Sequence, residues 1–169
     1  MLEVLTYPDP QLKQVSEPVT AFDAVLRDFV DRLEATRLAA PGCVGIAAPQ
    51  VGKTIRLAIV DVSSKPKHKN HGRLVLINPE ITQWEGFALG REGCLSVPDY
   101  TGNVIRAERI ALRAFDLDGR EQNFEMEGFE ARAVQHELDH LDGLLFLDRL
   151  VSHRSDLFRR KNYGENAKK

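Results

Sequence analysis

Apolar residues fall into two spacings along this chain. Phe22, Val25, Leu26, Phe29, Val30 and Leu33 recur at three- to four-residue steps and predict an amphipathic helix over about residues 21–40. Thr20, with Asp23 three residues on, predicts its N-cap in an approximate capping box, and Pro41-Gly42 ends it. Before it, Pro8, Pro10 and Pro18 punctuate an irregular start. Residues 55–62 (Ile-Arg-Leu-Ala-Ile-Val-Asp-Val) and 73–78 (Arg-Leu-Val-Leu-Ile-Asn) predict strands, with a polar, Lys- and His-rich mobile hairpin loop from Ser63 to Gly72 between them. Residues 104–116 and 120–127 predict two more strands around an Asp118-Gly119 turn. A second helix runs from near Gly128 to Asp142-Gly143, where glycine suits the C-cap. Helix, strands, helix without βαβ alternation predicts α+β, not a doubly wound sheet.

No internal repeat or long linker divides the 169 residues, a length that suits one domain with its own core. Hydrophobic residues make up 43% and charged residues 28%, the balance of an ordinary folded domain. A net charge of −2, from 23 basic and 25 acidic residues, gives no global electrostatic case for binding nucleic acid or an anionic membrane. No apolar run approaches the roughly 20 residues that span a bilayer. Residues 1–8 lack a positive segment followed by an apolar one, so no cleaved secretory signal is expected. With two cysteines, Cys43 and Cys94, the expectation is a reducing cytoplasm rather than a disulfide scaffold.

The candidate chemistry lies in His136-Glu137-Leu138-Asp139-His140. Histidines four apart on a helix share one face, where both imidazoles can bind one metal ion. Glu137 can reach a water held there without being a ligand itself. A solvated helix with two surface histidines has the same spacing, so the third ligand decides. The metzincin continuation needs histidine where this chain has Phe146. A thermolysin-type site needs a downstream glutamate, and after His140 there is only Glu165, near the charged end. Cys94 remains as a strong ligand, and His2Cys leaves one tetrahedral position open, as catalysis requires. Taken alone, Cys94 reads more readily as a small buried hydrophobe than as a ligand.

Its setting changes that. Gly45-Ile46-Ala47-Ala48-Pro49-Gln50-Val51-Gly52, Glu92-Gly93-Cys94-Leu95-Ser96-Val97-Pro98 and Gln135-His136-Glu137-Leu138-Asp139-His140-Leu141-Asp142-Gly143 stand in this order. Together they closely resemble the three signature motifs of the peptide deformylases. The resemblance implies antiparallel β-sheets packed around a central helix that carries the two histidines. It implies a single catalytic domain over residues 1–151, followed by a basic tail, 152–169, partly helical or frayed. The implied reaction removes the formyl group from formylmethionyl nascent peptides in the cytoplasm and releases formate. The alternative is a deformylase-like amidohydrolase acting on another formylated or N-acylated small molecule.

Carried over by position, Cys94, His136 and His140 would hold one divalent metal, Fe(II) in the cell, with Zn(II), Ni(II) or Co(II) as substitutes. Glu137 would be the acid/base. Gln50 and the Leu95 backbone N–H would bind the oxyanion, and Gly45 would pair with the substrate backbone. Ile46, Phe129 and Ala133, with Val44 beside them, would wall the methionine pocket. Two departures stand out: Cys43 where the family usually has glycine, and Tyr100-Thr101-Gly102 where some members place an arginine near the groove. Some relatives dock at the ribosome through a C-terminal extension. Here the tail carries Arg154, Arg159, Arg160, Lys161, Lys168 and Lys169 against Asp156 and Glu165.

Overall fold

The computed structural model describes residues 1–65 and 67–160. Helix α1 (Ala24–Leu38) is followed by strands β1 (Gly45–Ala47), β2 (Leu57–Val60), β3 (Leu74–Glu85), β4 (Ala88–Cys94), β5 (Val97–Arg106), β6 (Arg109–Phe115) and β7 (Glu121–Glu127). Helix α2 (Gly128–Leu141) and a short strand, β8 (Leu157–Arg159), complete the order. The strands form two antiparallel sheets, β1-β2-β3-β6-β7 and β4-β5-β8. This is the α+β architecture that the element order predicts.

The five-stranded sheet carries helices on both faces. On one side Leu26, Val30 and Leu33 of α1 pack with Ile46, Leu57, Ile59 and Ile77. On the other, Ala131, Ala133, Val134 and Leu138 of α2 pack with Val60, Leu76, Leu112, Ala114 and Met126. All of β2 is therefore buried, which is why its sequence reads as an unbroken apolar run. Fully burying a side chain such as Leu33 or Ile59 contributes roughly 1.5–3 kcal/mol. The opposite face of α2 carries polar and ionisable residues, yet His136, Glu137, Asp139 and His140 are all buried. Such a face needs partners inside the protein. They come from the three-stranded sheet.

Several boundaries differ from the sequence reading. Asp23, not Thr20, caps α1; its carboxylate accepts from the Leu26 N–H at 3.0 Å, and a negative charge suits the positive end of the helix. The single strand expected over 104–116 is two strands in different sheets. The chain crosses between them at Ala107, whose N–H and C=O are both taken by the Gln135 side chain, each at 2.9 Å. Strand β3 continues past Asn78 to Glu85 through two register shifts. The tail, expected to be helical or frayed, pairs as β8 with Tyr100, Thr101 and Gly102 of β5. Residues 161–169 of that tail lie outside the described residues. Among the described residues no helix is long and apolar enough to cross a membrane.

Candidate active site

The hairpin between β4 and β5 delivers Cys94 to the polar face of α2. Its Sγ lies 3.3 Å from His140 Nε2, and one donor atom each from Cys94, His136 and His140 fall within 4.8 Å of one another. Among the described residues this is the one cluster of metal-ligating side chains with that convergence. A thiol and two imidazoles, buried and converging, suit a divalent late first-row metal. His136 turns its other nitrogen, Nδ1, to Glu92 Oε1 at 2.8 Å, which fixes the ring and leaves Nε2 facing the cluster.

Glu92 is itself clamped. Arg106 meets it with Nε and Nη2, both at 2.9 Å, and Arg132 adds Nη1 at 2.8 Å. Arg106 continues to Asp139 at 2.6 Å, and Arg149 closes the far side of Asp139 at 3.0 and 3.1 Å. Burial alone would raise the Glu92 pKa. The hydrogen bonds from Arg106 and His136 outweigh it and hold this carboxyl well below the usual carboxylate range. Sequence reasoning missed this network. The available signal was spacing: Glu92 sits two residues before Cys94 on a strand, so both side chains leave the same face.

Glu137 is buried at the same place, and its Oε1 has no hydrogen-bond partner among the described residues. Burial pushes its carboxyl up to about 7; the Glu92 charge adds to that, while His136 and Arg106 oppose it. Gly45 faces it so closely that a Cβ there would lie 2.6 Å from Glu137 Oε2. The glycine is thus a packing requirement of the carboxylate. Gln50 is almost fully buried; its Oε1 accepts from the Ala47 N–H at 2.9 Å, which turns Nε2 toward Ser96 Oγ at 3.0 Å and Cys94 Sγ at 3.4 Å.

Cys94, His136 and Glu137 open into a cavity of about 340 Å³ whose wall includes Val44, Gly45, Leu95, Phe129 and Ala133; His140 and Gln50 lie behind that wall, each almost fully buried. Ile46 is not in that wall. It is fully buried in the core with α1, because Gly45 faces Glu137 and the next side chain on a strand points the other way. Cys43 is in the wall, its thiol donating to the Gly45 carbonyl at 3.1 Å. A larger groove, about 1020 Å³, lies elsewhere along β3, β6 and β7 and contains none of the cluster.

The family model for polypeptide deformylase matches residues 1–156. The chain belongs to the polypeptide deformylase family. A peptide deformylase of Thermodesulfovibrio yellowstonii is 44% identical over 161 residues, 95% of this chain and 96% of that one. One of Wolinella succinogenes is 44% identical over 170 residues, 100% of this chain and 96% of the other. The crystal structure of a Thermotoga maritima peptide deformylase superposes with a TM-score of 0.83 at 36% identity, covering 90% of this chain and 99% of that one. A Met-Ala-Ser-bound peptide deformylase from Acinetobacter baumannii gives 0.82 at 39%, covering 89% and 98%. Deformylases are metal-dependent hydrolases that remove the N-terminal formyl group from newly made peptides, and this is the chain's activity. The alternative of a different formylated or acylated small molecule is not favoured.

Proposed function

We propose that Cys94, His136 and His140 hold one divalent metal ion, Fe(II) in the cell, and that Glu137 moves the proton during deformylation. Zn(II), Ni(II) and Co(II) fit the same donors, since affinity order alone does not choose among them. When bound, such an ion lowers the pKa of a water molecule toward neutrality and so supplies a nucleophile. The observation that carries the reading is the convergence of Cys94, His136 and His140 within 4.8 Å, with the Glu137 carboxyl lining the same cavity as Cys94 and His136 and its Oε1 without a partner among the described residues. A carboxyl poised near working pH can take the proton from the attacking water and deliver it to the leaving amine.

The oxyanion that forms at the formyl carbon needs donors fixed in advance. The Gln50 amide, pinned at its oxygen end by Ala47, and the Leu95 N–H fill that role. Gly45 lies on β1 and Arg91 to Cys94 on β4, each the end strand of its sheet, and both line the cavity. An extended peptide can add to such edges, which gives Gly45 its substrate-pairing role. Phe129 and Ala133 wall the methionine pocket, and Ile46 contributes backbone only. The substrates are formylmethionyl nascent peptides in the cytoplasm, and the catalytic domain expected over residues 1–151 extends to β8, which pairs within its three-stranded sheet. The further partner reading is ribosome contact through the basic tail, residues 152–169; unchanged ribosome pelleting after deletion of residues 152–169 would remove that assignment.

In the metal-loaded protein, Glu137→Ala keeps its metal by elemental analysis and loses about 10²–10⁴-fold in formate release. Full activity in that variant would overturn the acid/base assignment.

A further inference from the structure

Three basic side chains, Lys65, Arg91 and Arg160, share the wall of the active-site cavity with Cys94 and His136. Two are placed there by the C-terminal strand. Arg91, on β4, stacks its guanidinium 3.6 Å from the ring centroid of Phe158 in β8, and donates to Asn103 at 3.1 Å and Thr101 at 3.4 Å. Arg160 follows β8, and its backbone N–H is fixed to the Asp99 carbonyl at 2.7 Å. Its side chain runs back over Gly93: a Cβ on that glycine would lie 2.5 Å from Arg160 Nη2. A guanidinium therefore rests beside the backbone of the residue before Cys94.

The acids of the same wall do not neutralise these cations. They are Glu92 and Glu137. Glu92 is committed to Arg106, Arg132 and His136. Glu137 is buried against Gly45 and forms no ion pair with any of the three. The fourth cation of the wall, Arg132, is consumed by Glu92, Val104 O and Ala88 O. Among the described residues, Lys65, Arg91 and Arg160 form no ion pair. The mouth of the cavity thus carries positive charge, although the whole chain has a net charge of −2.

We propose that Arg160 and Arg91 form a cationic subsite for an anionic side chain in the two residues that follow the formylmethionine. This rests on formyl cleavage at the Cys94, His136 and His140 cluster. With the formyl carbon there and the methionine side chain at Phe129 and Ala133, the rest of the peptide leaves past β4. An extended chain advances about 3.3 Å per residue, so its next two residues remain within reach of an arginine side chain. Strand β8 then selects substrate as well as completing a sheet.

The test compares formyl-Met-Ala-Glu, formyl-Met-Ala-Gln and formyl-Met-Ala-Lys, all amidated at the C-terminus, with the metal-loaded full-length protein at low ionic strength. Formate release follows Glu over Gln over Lys, with kcat/KM about fivefold higher for Glu than for Lys, carried by KM rather than kcat. The ratio shrinks with added salt, as a part-exposed charge contact must. Arg160→Ala brings the Glu-to-Lys ratio close to one, Arg160→Glu inverts it, and Arg160→Lys restores most of it. Equal kcat/KM for the three peptides in the wild type, or an unchanged ratio in Arg160→Ala and Arg160→Glu, overturns the subsite alone. No formate from any of the three overturns the cleavage reading and the subsite with it.

Discussion

Cys43 sits on the cavity wall, and its environment decides its chemistry. Burial pushes its thiol from an ordinary 9.0 up to about 11, the Gly45 carbonyl opposes that by accepting its proton, and the Glu137 charge adds to it. A raised thiol pKa means less thiolate at every pH below it. Relative to an ordinary thiol, about 100-fold less thiolate is present at pH 7. Iodoacetamide at pH 7.5 should therefore label Cys43 at least about 100-fold more slowly than a free thiol, with the rate climbing only as pH approaches 11. Labelling of Cys43 at the rate of a free thiol would contradict this reading; mass spectrometry of the labelled peptide resolves it. At this scale the sequence revealed what depends on residue type. Histidines one helical turn apart, a carboxyl between them and a cysteine in a matching setting announce their chemistry directly. It did not reveal what depends on contact across the fold. Glu92 reaches His136 over 44 positions, and Ile46 is turned away from the cavity by the alternation of a three-residue strand too short to read.

The elements that were legible are those with one strong pattern. Helices α1 and α2 carry apolar stripes, while β2 and β7 are bounded by loops and turns. Strand β4 was not legible, because Ala-Leu-Gly-Arg-Glu-Gly-Cys holds two glycines and two charges. It is a strand because β5 pairs with it along its length and because Arg132 and Arg160 fill the space over Gly90 and Gly93. The end of α2 makes a sharper test. Gly143 has φ +76, and its N–H caps the His140 carbonyl at 3.2 Å, which closes the turn that carries a candidate ligand. A Cβ at Gly143 would overlap the Lys13 carbonyl. Gly42 has a similar φ of +73 with open space around it. Gly42→Ala should cost about 1–2 kcal/mol, the backbone penalty alone. Gly143→Ala should cost more, and urea unfolding midpoints measure both. Equal losses would mean that the Lys13 segment gives way freely.

On the scale of the whole molecule, α2 is a partition. Its apolar side completes the core against the five-stranded sheet, and its polar side meets the three-stranded sheet through Glu92, Arg106 and Asp139, with Arg149 from the turn after α2 joining at Asp139. The division into two sheets was hidden in the sequence, because residues 104–116 read as one strand and the crossing at Ala107 depends on the Gln135 amide from α2. The same division brings two strand edges to one cavity and lets the C-terminal strand reach it. The family places deformylation in this chain, and the proposed site assigns it to Cys94, His136 and His140 with Glu137. The most direct test loads the protein with Fe(II) without oxygen and compares formate release from formyl-Met-Ala-Ser in the wild type and in Cys94→Ala. Release by the wild type, with both metal content and formate lost in Cys94→Ala, is the predicted result. Unchanged metal binding and unchanged formate release in Cys94→Ala would contradict the account.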